Sequence, residues 1–402
     1  MKKFRLLAGS LILSVLAGCA APTSSPLGMT PTSGASDFRA NGVSKREIVV
    51  RFASKSSISL NGYKVRRSIE ALNAHVIEVP SSKSPEQVVA EFQKNPNVTY
   101  ADYVNRTQSE EAYSKTPNDP RLKDQYNLRA INATDAWKTT AGEKRVIIAV
   151  IDSGTEVDHP DLKNQIVQSW SVLTHTPTLT PGSGHGSHTI GIFGAEANNG
   201  QGIAGVAPGC GLMAVQISDQ ATGQGSDATI AEGIIWAADH GASVMSISQG
   251  IYRHSKVLED ALQYALNKDV VICASAGNNN AENDPDKAPH LPSTYPGVIE
   301  VAATDSRNGK AEFSNWGKTV TVAAPGVDIL STVPGKTYEL MSGTSMAAPC
   351  AAGVVGLIRS RFPNFNRDQV KDQLIKTAQD LGDKGFDKKY GYGLVDAAAA
   401  VK

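Results

Sequence analysis

The chain reads as an α/β protein built on a mainly parallel sheet and preceded by a small α+β unit. From about Thr116 onward, short β-branched runs recur: "KRVIIAVIDSG", "ASVMSISQG", "DVVICASAGN" and "GVIEVAAT". Continuous apolar strands of this kind belong in a parallel sheet covered on both faces. Between them, "DATIAEGIIWAADHG" and "SKVLEDALQYALNKD" carry the helical period. Ahead of this region, residues 46–105 change character, with "EIVVRF", "HVIEV" and "VTYADYV" patterned as half-buried strands.

Residues 1–19 read as an export signal. "MKKFR" is a basic start, "LLAGSLILSVLAG" is an apolar run too short to span a bilayer as a mature helix, and Cys19 follows at once. Leu16-Ala17-Gly18-Cys19 resembles the bacterial lipobox, which implies lipidation of Cys19, export, and anchoring of the precursor to the membrane. Residues 20–45 ("APTSSPLGMTPTSGAS" and onward) lack periodicity and form a flexible linker.

In the 46–105 unit, "SPEQVVAEFQKN" places Val88, Val89 and Phe92 on one helical face. Ser84 is the expected N-cap, with Pro85 at the first helical position and Gln87 completing a capping box. About sixty residues is near the lower size for independent stability. Lys+Arg and Asp+Glu both number 39, so no net field points to nucleic acid; a monomer is expected. Of four cysteines, Cys210, Cys273 and Cys350 lie outside the signal. They are too few and too scattered for a disulfide framework and read as small buried apolar residues. No C-x-x-C occurs, which removes the commonest zinc and redox patterns.

Ligands of open parallel sheets meet the carboxyl ends of strands, and those ends carry Asp152, Ser248 and Asn278. "AVIDSGTEVDHPDL" puts Asp152 directly after a buried strand, "GSGHGSHTIGIFGA" puts His185 at a helix start, "CASAGNNN" puts Asn278 on a strand exit, and "SGTSMAAP" puts Ser345 at another helix start. Singly, each suits a turn, a cap or a structural histidine. Together, in the order Asp, His, Ser, and with the flanks "HGSH", "GTSMAAP" and "YGYGLVDAAAAV", they resemble the subtilisin-like serine proteases. "TPNDP" at Thr116 to Pro120 resembles the thermitase-like branch.

The resemblance implies the subtilisin-like three-layer fold over residues 118–402 and a serine endopeptidase acting on proteins or peptides. Ser345 would be the nucleophile and His185 the base that takes its proton and returns it to the leaving amine. Asp152 would hold the imidazole tautomer and stabilise the imidazolium. Asn278 and the Ser345 N–H would bind the oxyanion; loss of one such donor in subtilisin costs about 2.7–4 kcal/mol. Ser248, Gln249 and Gly250 match the segment that pairs with substrate as an added strand. Gln249 and Ile251 depart from the usual residues there; Ile251 is expected to narrow the pocket before the scissile bond, with His290 near its base. His188 is expected to be structural rather than a zinc ligand.

The resemblance also implies calcium. Asp119, Asp161 and Asn199, with loop carbonyls at Glu196, Gln201 and Ile203, match a high-affinity site of the thermitase-like branch, and oxygen ligands suit this hard cation. Residues 46–105 resemble the family's inhibitory pro-domain, a small ferredoxin-like unit acting as an intramolecular inhibitor. Residues 106–117 would be the processing linker, cut after Tyr113, so that maturation releases the catalytic domain from the lipid anchor. Two other readings fit the residues less well. A silent scaffolding lipoprotein usually lacks at least one of the four site residues, and all are present. An esterase would need G-x-S-x-G, where "GTSMA" has Ala347.

Overall fold

The computed structural model describes residues 43–105, 117–219 and 225–402. The signal segment with Cys19, nearly all of the 20–45 linker, and Tyr113 in the processing linker lie outside the described residues. The chain divides into two compact units on either side of Ser109. Among the described residues, no helix is long and apolar enough to cross a membrane.

In the first unit, β1 (Val43–Phe52), β2 (Val65–Ile69), β3 (Ala74–Glu78) and β4 (Val98–Asn105) form an antiparallel sheet in the order β2-β3-β1-β4, with α1 (Pro85–Gln93) between β3 and β4. This is the ferredoxin-like strand order, but the helix expected between β1 and β2 is reduced to a 3-10 turn at Lys55–Ser57. The Ser84 capping box forms as expected: Ser84 Oγ accepts from Gln87 N at 3.3 Å, and Gln87 Oε1 accepts from Ser84 N at 2.8 Å. Val88, Val89 and Phe92 pack on Ile48, Val50 and Ile77. Strand β2 escaped sequence reading because "VRRSI" is exposed throughout and carries no apolar alternation.

The second unit opens with two short helices, α2 (Tyr126–Ala130) and α3 (Ala133–Ala136). Its sheet then draws on β5 (Ile147–Asp152), β6 (Ile166–Ser171), β7 (Gly211–Gln216), β8 (Val244–Ile247) and β9 (Val271–Ser275). A two-residue ribbon joins β10 (Glu282–Asn283) to β12 (Trp316–Gly317), while β11 (Ile299–Thr304) and β13 (Val320–Pro325) complete the sheet. All seven strands pair in parallel in the order β13-β11-β9-β8-β5-β7-β6. Strand order reverses at β5, so a ligand crevice is expected at the carboxyl ends of β5 and β8.

Helices cover both faces. β5 shows why: Ile148 and Val150 join one apolar core, whereas Ala149 and Ile151 join the other. The first core contains α4 (His185–Gly194) and α7 (Thr344–Arg361); the second contains α5 (Asp227–Asp239) and α6 (Lys256–Asn267). A hairpin of β14 (Ile329–Val333) and β15 (Thr337–Met341) leads into α7, and α8 (Arg367–Thr377) and α9 (Ala397–Ala400) close the chain. Cys210, Cys273 and Cys350 are buried free thiols. Burial raises all three thiol pKa values, Cys210 to about 11 and Cys350 to about 12.

Candidate active site

Asp152 is the last residue of β5 and is fully buried. Its Oδ1 lies 2.8 Å from His185 Nδ1 and accepts Ser153 N at 2.7 Å; its Oδ2 accepts the Thr189 hydroxyl at 3.2 Å. Burial alone would raise this carboxyl, but His185 and these donors hold it below its ordinary value. Burial lowers His185, and the Asp152 charge overrides that, leaving the imidazole above its ordinary value. The His185 side chain stays 29% exposed, so its other nitrogen can face a ligand.

The glycine in "HGSH" explains this proximity. A Cβ on Gly186 would sit 2.3 Å from Gly154 O, so only glycine lets the first turn of α4 rest on the backbone just beyond Asp152. β14 pins the same turn: Thr332 Oγ1 donates to Ser187 O at 2.6 Å and Ser331 Oγ to His188 O at 2.7 Å. Through β15, that hairpin delivers the chain to Gly343 and α7, on which Ser345 is the second residue. A cavity of about 180 Å³ is lined by Ser183, the α4 N-cap Gly184, Pro334, Glu339 and Met341 among others.

Ser345 Oγ donates to Ser248 O at 3.2 Å, and Ser248 Oγ donates to Ser345 O at 2.9 Å. Thr344 offers both its N–H (2.9 Å) and its hydroxyl (2.8 Å) to Asn278 Oδ1. The acceptor end of that amide therefore faces Thr344, and its two N–H groups face away. A Cβ built on Gly343 would lie 3.5 Å from both Asn278 Nδ2 and Ser345 N. Two nitrogens that carry N–H groups thus border one small space at Gly343.

The sequence profile of the subtilase family matches residues 143–393. This chain belongs to the subtilase family. It is a serine endopeptidase with a pro-domain, since the profile of the fervidolysin N-terminal prodomain matches residues 44–103. Thermitase of Thermoactinomyces vulgaris is 39% identical over 288 residues, covering 71% of this subtilase and 99% of that protein. A thermophilic serine proteinase of Bacillus sp. (strain AK1) is 38% identical over 309 residues, 76% and 74% of the two chains. Fervidolysin of Fervidobacterium pennivorans is 34% identical over 382 residues, 86% of this chain but 53% of that one. A solved protease of Pseudoalteromonas arctica superposes with a TM-score of 0.63 at 30% identity, over 71% of this chain and 99% of that one.

Ser248, Gln249 and Gly250 follow directly on β8 in this subtilase. Gln249 Nε2 donates to Ser218 Oγ at 2.9 Å, and a Cβ on Gly250 would meet His290 Nε2 at 2.8 Å. His290 is buried, which lowers its pKa to about 4. Ile251 pairs with Leu291 and is partly buried against the apolar core of α5 and α6. The neighbouring Tyr252, 52% exposed, reaches toward Gly277, its hydroxyl 2.6 Å from where a Cβ there would lie. His188 is fully buried, its Nε2 is 3.0 Å from Glu339 O, and burial lowers its pKa to about 4.

Asp119, Asp161 and Asn199 come together although 42 and 38 residues separate them along the chain. Asp119 Oδ2 accepts Asn198 N at 2.8 Å, Asp161 Oδ2 accepts Ile203 N at 3.0 Å, and Asn199 Nδ2 donates to Asp161 Oδ1 at 2.9 Å. Both carboxylates are buried, and among the described residues neither forms an ion pair. Burial and the neighbouring Asp161 charge raise Asp119. Two buried carboxylates supply the oxygen chemistry that a hard divalent cation takes, although loop N–H groups contact both of them here. No three His, Cys, Asp or Glu side chains cluster among the described residues, and Asn199 turns its Nδ2 to Asp161 while its Oδ1 accepts Gln201 N at 2.8 Å.

Thr189 and Thr344 are site residues that sequence reading missed. Each neighbours a motif residue in "HGSHT" or "GTS", but hydroxyls at such positions are common helix residues, and only the fold aims them at Asp152 and Asn278.

Proposed function

We propose that this subtilase is a secreted endopeptidase made as an auto-inhibited zymogen. Residues 1–19 are its signal, 20–45 a tether, 46–105 the inhibitor, 106–117 the processing linker and 118–402 the catalytic domain. The observation that carries the catalytic reading is the space at Gly343 bordered by Asn278 Nδ2 and Ser345 N, together with the pairing of His185, at the start of α4, to Asp152, at the end of β5.

The Ser345 hydroxyl turns from the Ser248 carbonyl toward Nε2 of His185, which takes its proton as the oxygen attacks the peptide carbonyl. The oxyanion forms against Asn278 and the Ser345 N–H. His185 then protonates the leaving amine, and water releases the acyl group from Ser345 by the reverse sequence. Ser248, Gln249 and Gly250 pair with the substrate backbone. Asp119, Asp161 and Asn199, with the carbonyls of Glu196, Gln201 and Ile203, would hold a structural calcium ion that ties the 196–203 loop to the start of the domain.

Before maturation the lipid on Cys19 holds the precursor at the membrane; cleavage after Tyr113 frees the catalytic domain. Labelling with a fluorophosphonate tests the nucleophile. A covalent adduct on Ser345 is expected, and its absence in a correctly folded, processed protein defeats the catalytic reading. N-terminal sequencing and fractionation of wild type and Ser345→Ala test maturation. Equal membrane retention of the catalytic domain in both would refute release.

A further inference from the structure

The loop that carries Asn278 is held from behind by a buried polar chain outside all the sequence motifs. Asn315 grips the loop at three backbone points. Its own N–H donates to Gly277 O at 2.9 Å, and its Oδ1 accepts Asn279 N at 2.9 Å and Ala281 N at 3.1 Å. Asn315 Nδ2 donates to Asn283 Oδ1 at 3.0 Å. Asn283 Nδ2 donates in turn to Ala276 O at 2.7 Å and to Glu300 Oε1 at 2.6 Å. Glu300 Oε1 also accepts the Ser293 hydroxyl at 3.2 Å, and Ser293 Oγ lies 3.0 Å from His290 Nδ1. Glu300 and Asn315 are 0% exposed, and Asn283 is 2% exposed.

Glu300 is the second residue of the fully buried strand β11 and forms no ion pair among the described residues. Burying a carboxyl there is costly, and burial raises its pKa. Its geometry accounts for its presence. An amide can be seated two ways round, and the acceptors Glu300 Oε1 and Ala276 O together select one for Asn283, with Nδ2 inward and Oδ1 toward Asn315. That choice directs Asn315 Nδ2 to Asn283 and leaves Asn315 Oδ1 for the amides of Asn279 and Ala281. The orientation passes from carboxyl to amide to amide and ends on the backbone flanking Asn278.

We propose that Glu300 is a positioning residue for the oxyanion hole, acting through Asn283 and Asn315 to fix the backbone of residues 276–281 and so the aim of the Asn278 N–H groups. This rests on the reading of Asn278 as an oxyanion donor. The group touches neither substrate nor nucleophile; it sets a geometry in which an error of about 1 Å costs on the order of a hundredfold in rate.

The test is steady-state kinetics on processed enzyme from the full-length chain, with each preparation normalised to the Ser345 sites labelled by a fluorophosphonate. Glu300→Leu and Asn283→Ser are expected to lower kcat by about tenfold to a hundredfold with KM within about twofold. Glu300→Gln keeps an acceptor for Asn283 and is expected to retain kcat within about threefold. Where Glu300→Leu fails to fold, Asn283→Ser and Glu300→Gln carry the comparison. Wild-type kcat per labelled site in Asn283→Ser, at whatever melting temperature, overturns the proposal; so does a Gln variant as impaired as Asn283→Ser. Asn278→Ala separates the two levels. A large loss there beside unaffected Asn283→Ser refutes only the Glu300 link, whereas wild-type kcat in Asn278→Ala refutes the oxyanion reading itself.

Discussion

Ser248 and Ser345 exchange hydrogen bonds, each hydroxyl donating to the other's carbonyl, at 2.9 and 3.2 Å. The reason lies one helical turn on. Pro349, inside α7, has no N–H to offer the Ser345 carbonyl, so that acceptor would be orphaned. The Ser248 hydroxyl takes it, fastening the nucleophile's backbone to the strand segment read as the substrate edge. Ser248→Ala should therefore lower stability by about 1–3 kcal/mol, the cost of an unsatisfied buried carbonyl. Thermal unfolding of the Ser345→Ala background, which removes autolysis, measures it; an unchanged melting temperature would mean water satisfies the carbonyl equally well.

Gly343 offers a test of the oxyanion space that leaves every polar group in place. Its backbone is extended (φ 162°, ψ 160°), so alanine is tolerated there, and the added methyl makes only ordinary contacts in the free enzyme. It would occupy the space between Asn278 Nδ2 and Ser345 N. Gly343→Ala should keep its melting temperature and fluorophosphonate-accessible fold while kcat falls by about 10²-fold or more. Circular-dichroism melts beside kinetics on a peptide substrate decide it.

The Asp152–His185 pair sets the acid limb of the pH–rate profile. Proton abstraction needs neutral His185, and Asp152 raises the imidazole above its ordinary value. Activity should therefore fall on acidification through a pKa above the usual histidine range near 6.5. Asp152→Asn removes the raising charge, so the limb should move to lower pH while kcat drops by about 10⁴-fold. A limb that stays in place would mean that another group controls it.

His188 and His290 predict acid instability. Burial lowers both to about 4, whereas the unfolded chain protonates near 6.5. The unfolded state therefore binds more protons between those values. Stability is full above pH 6.5 and is lost as pH falls toward 4, by about 3 kcal/mol for each histidine. Urea unfolding of Ser345→Ala across this range should reveal the slope. His188→Gln, which keeps a donor for Glu339 O, should lessen it by about one proton; an unaltered slope would exclude His188 as a source.

Calcium removal should loosen the 196–203 loop. Full chelation is expected to lower the melting temperature of the wild-type protein, and Asp161→Ala should abolish the difference between chelated and calcium-loaded samples. A melting temperature indifferent to chelation in the wild type removes the site.

Much of this protein was legible in its residues alone. The strands β5, β8, β9 and β11 announced themselves as β-branched runs because they are buried on both faces, and α5 and α6 showed helical periods because one face packs on the sheet. Asp152, His185, Asn278 and Ser345 stood out through short local motifs, and the glycine at 186 in one of them is demanded by the close approach of Gly154 O. Other features had no local signature. Exposed β2, the shortened helix of the first unit, the reach of Tyr252 toward Gly277, and the chain from Glu300 to Asn315 all depend on partners remote in sequence. A side chain's type limits which hydrogen bonds and contacts it can make, but the partner that satisfies it is chosen by folding. The chain's chemistry was therefore readable in one dimension, and its aim only in three.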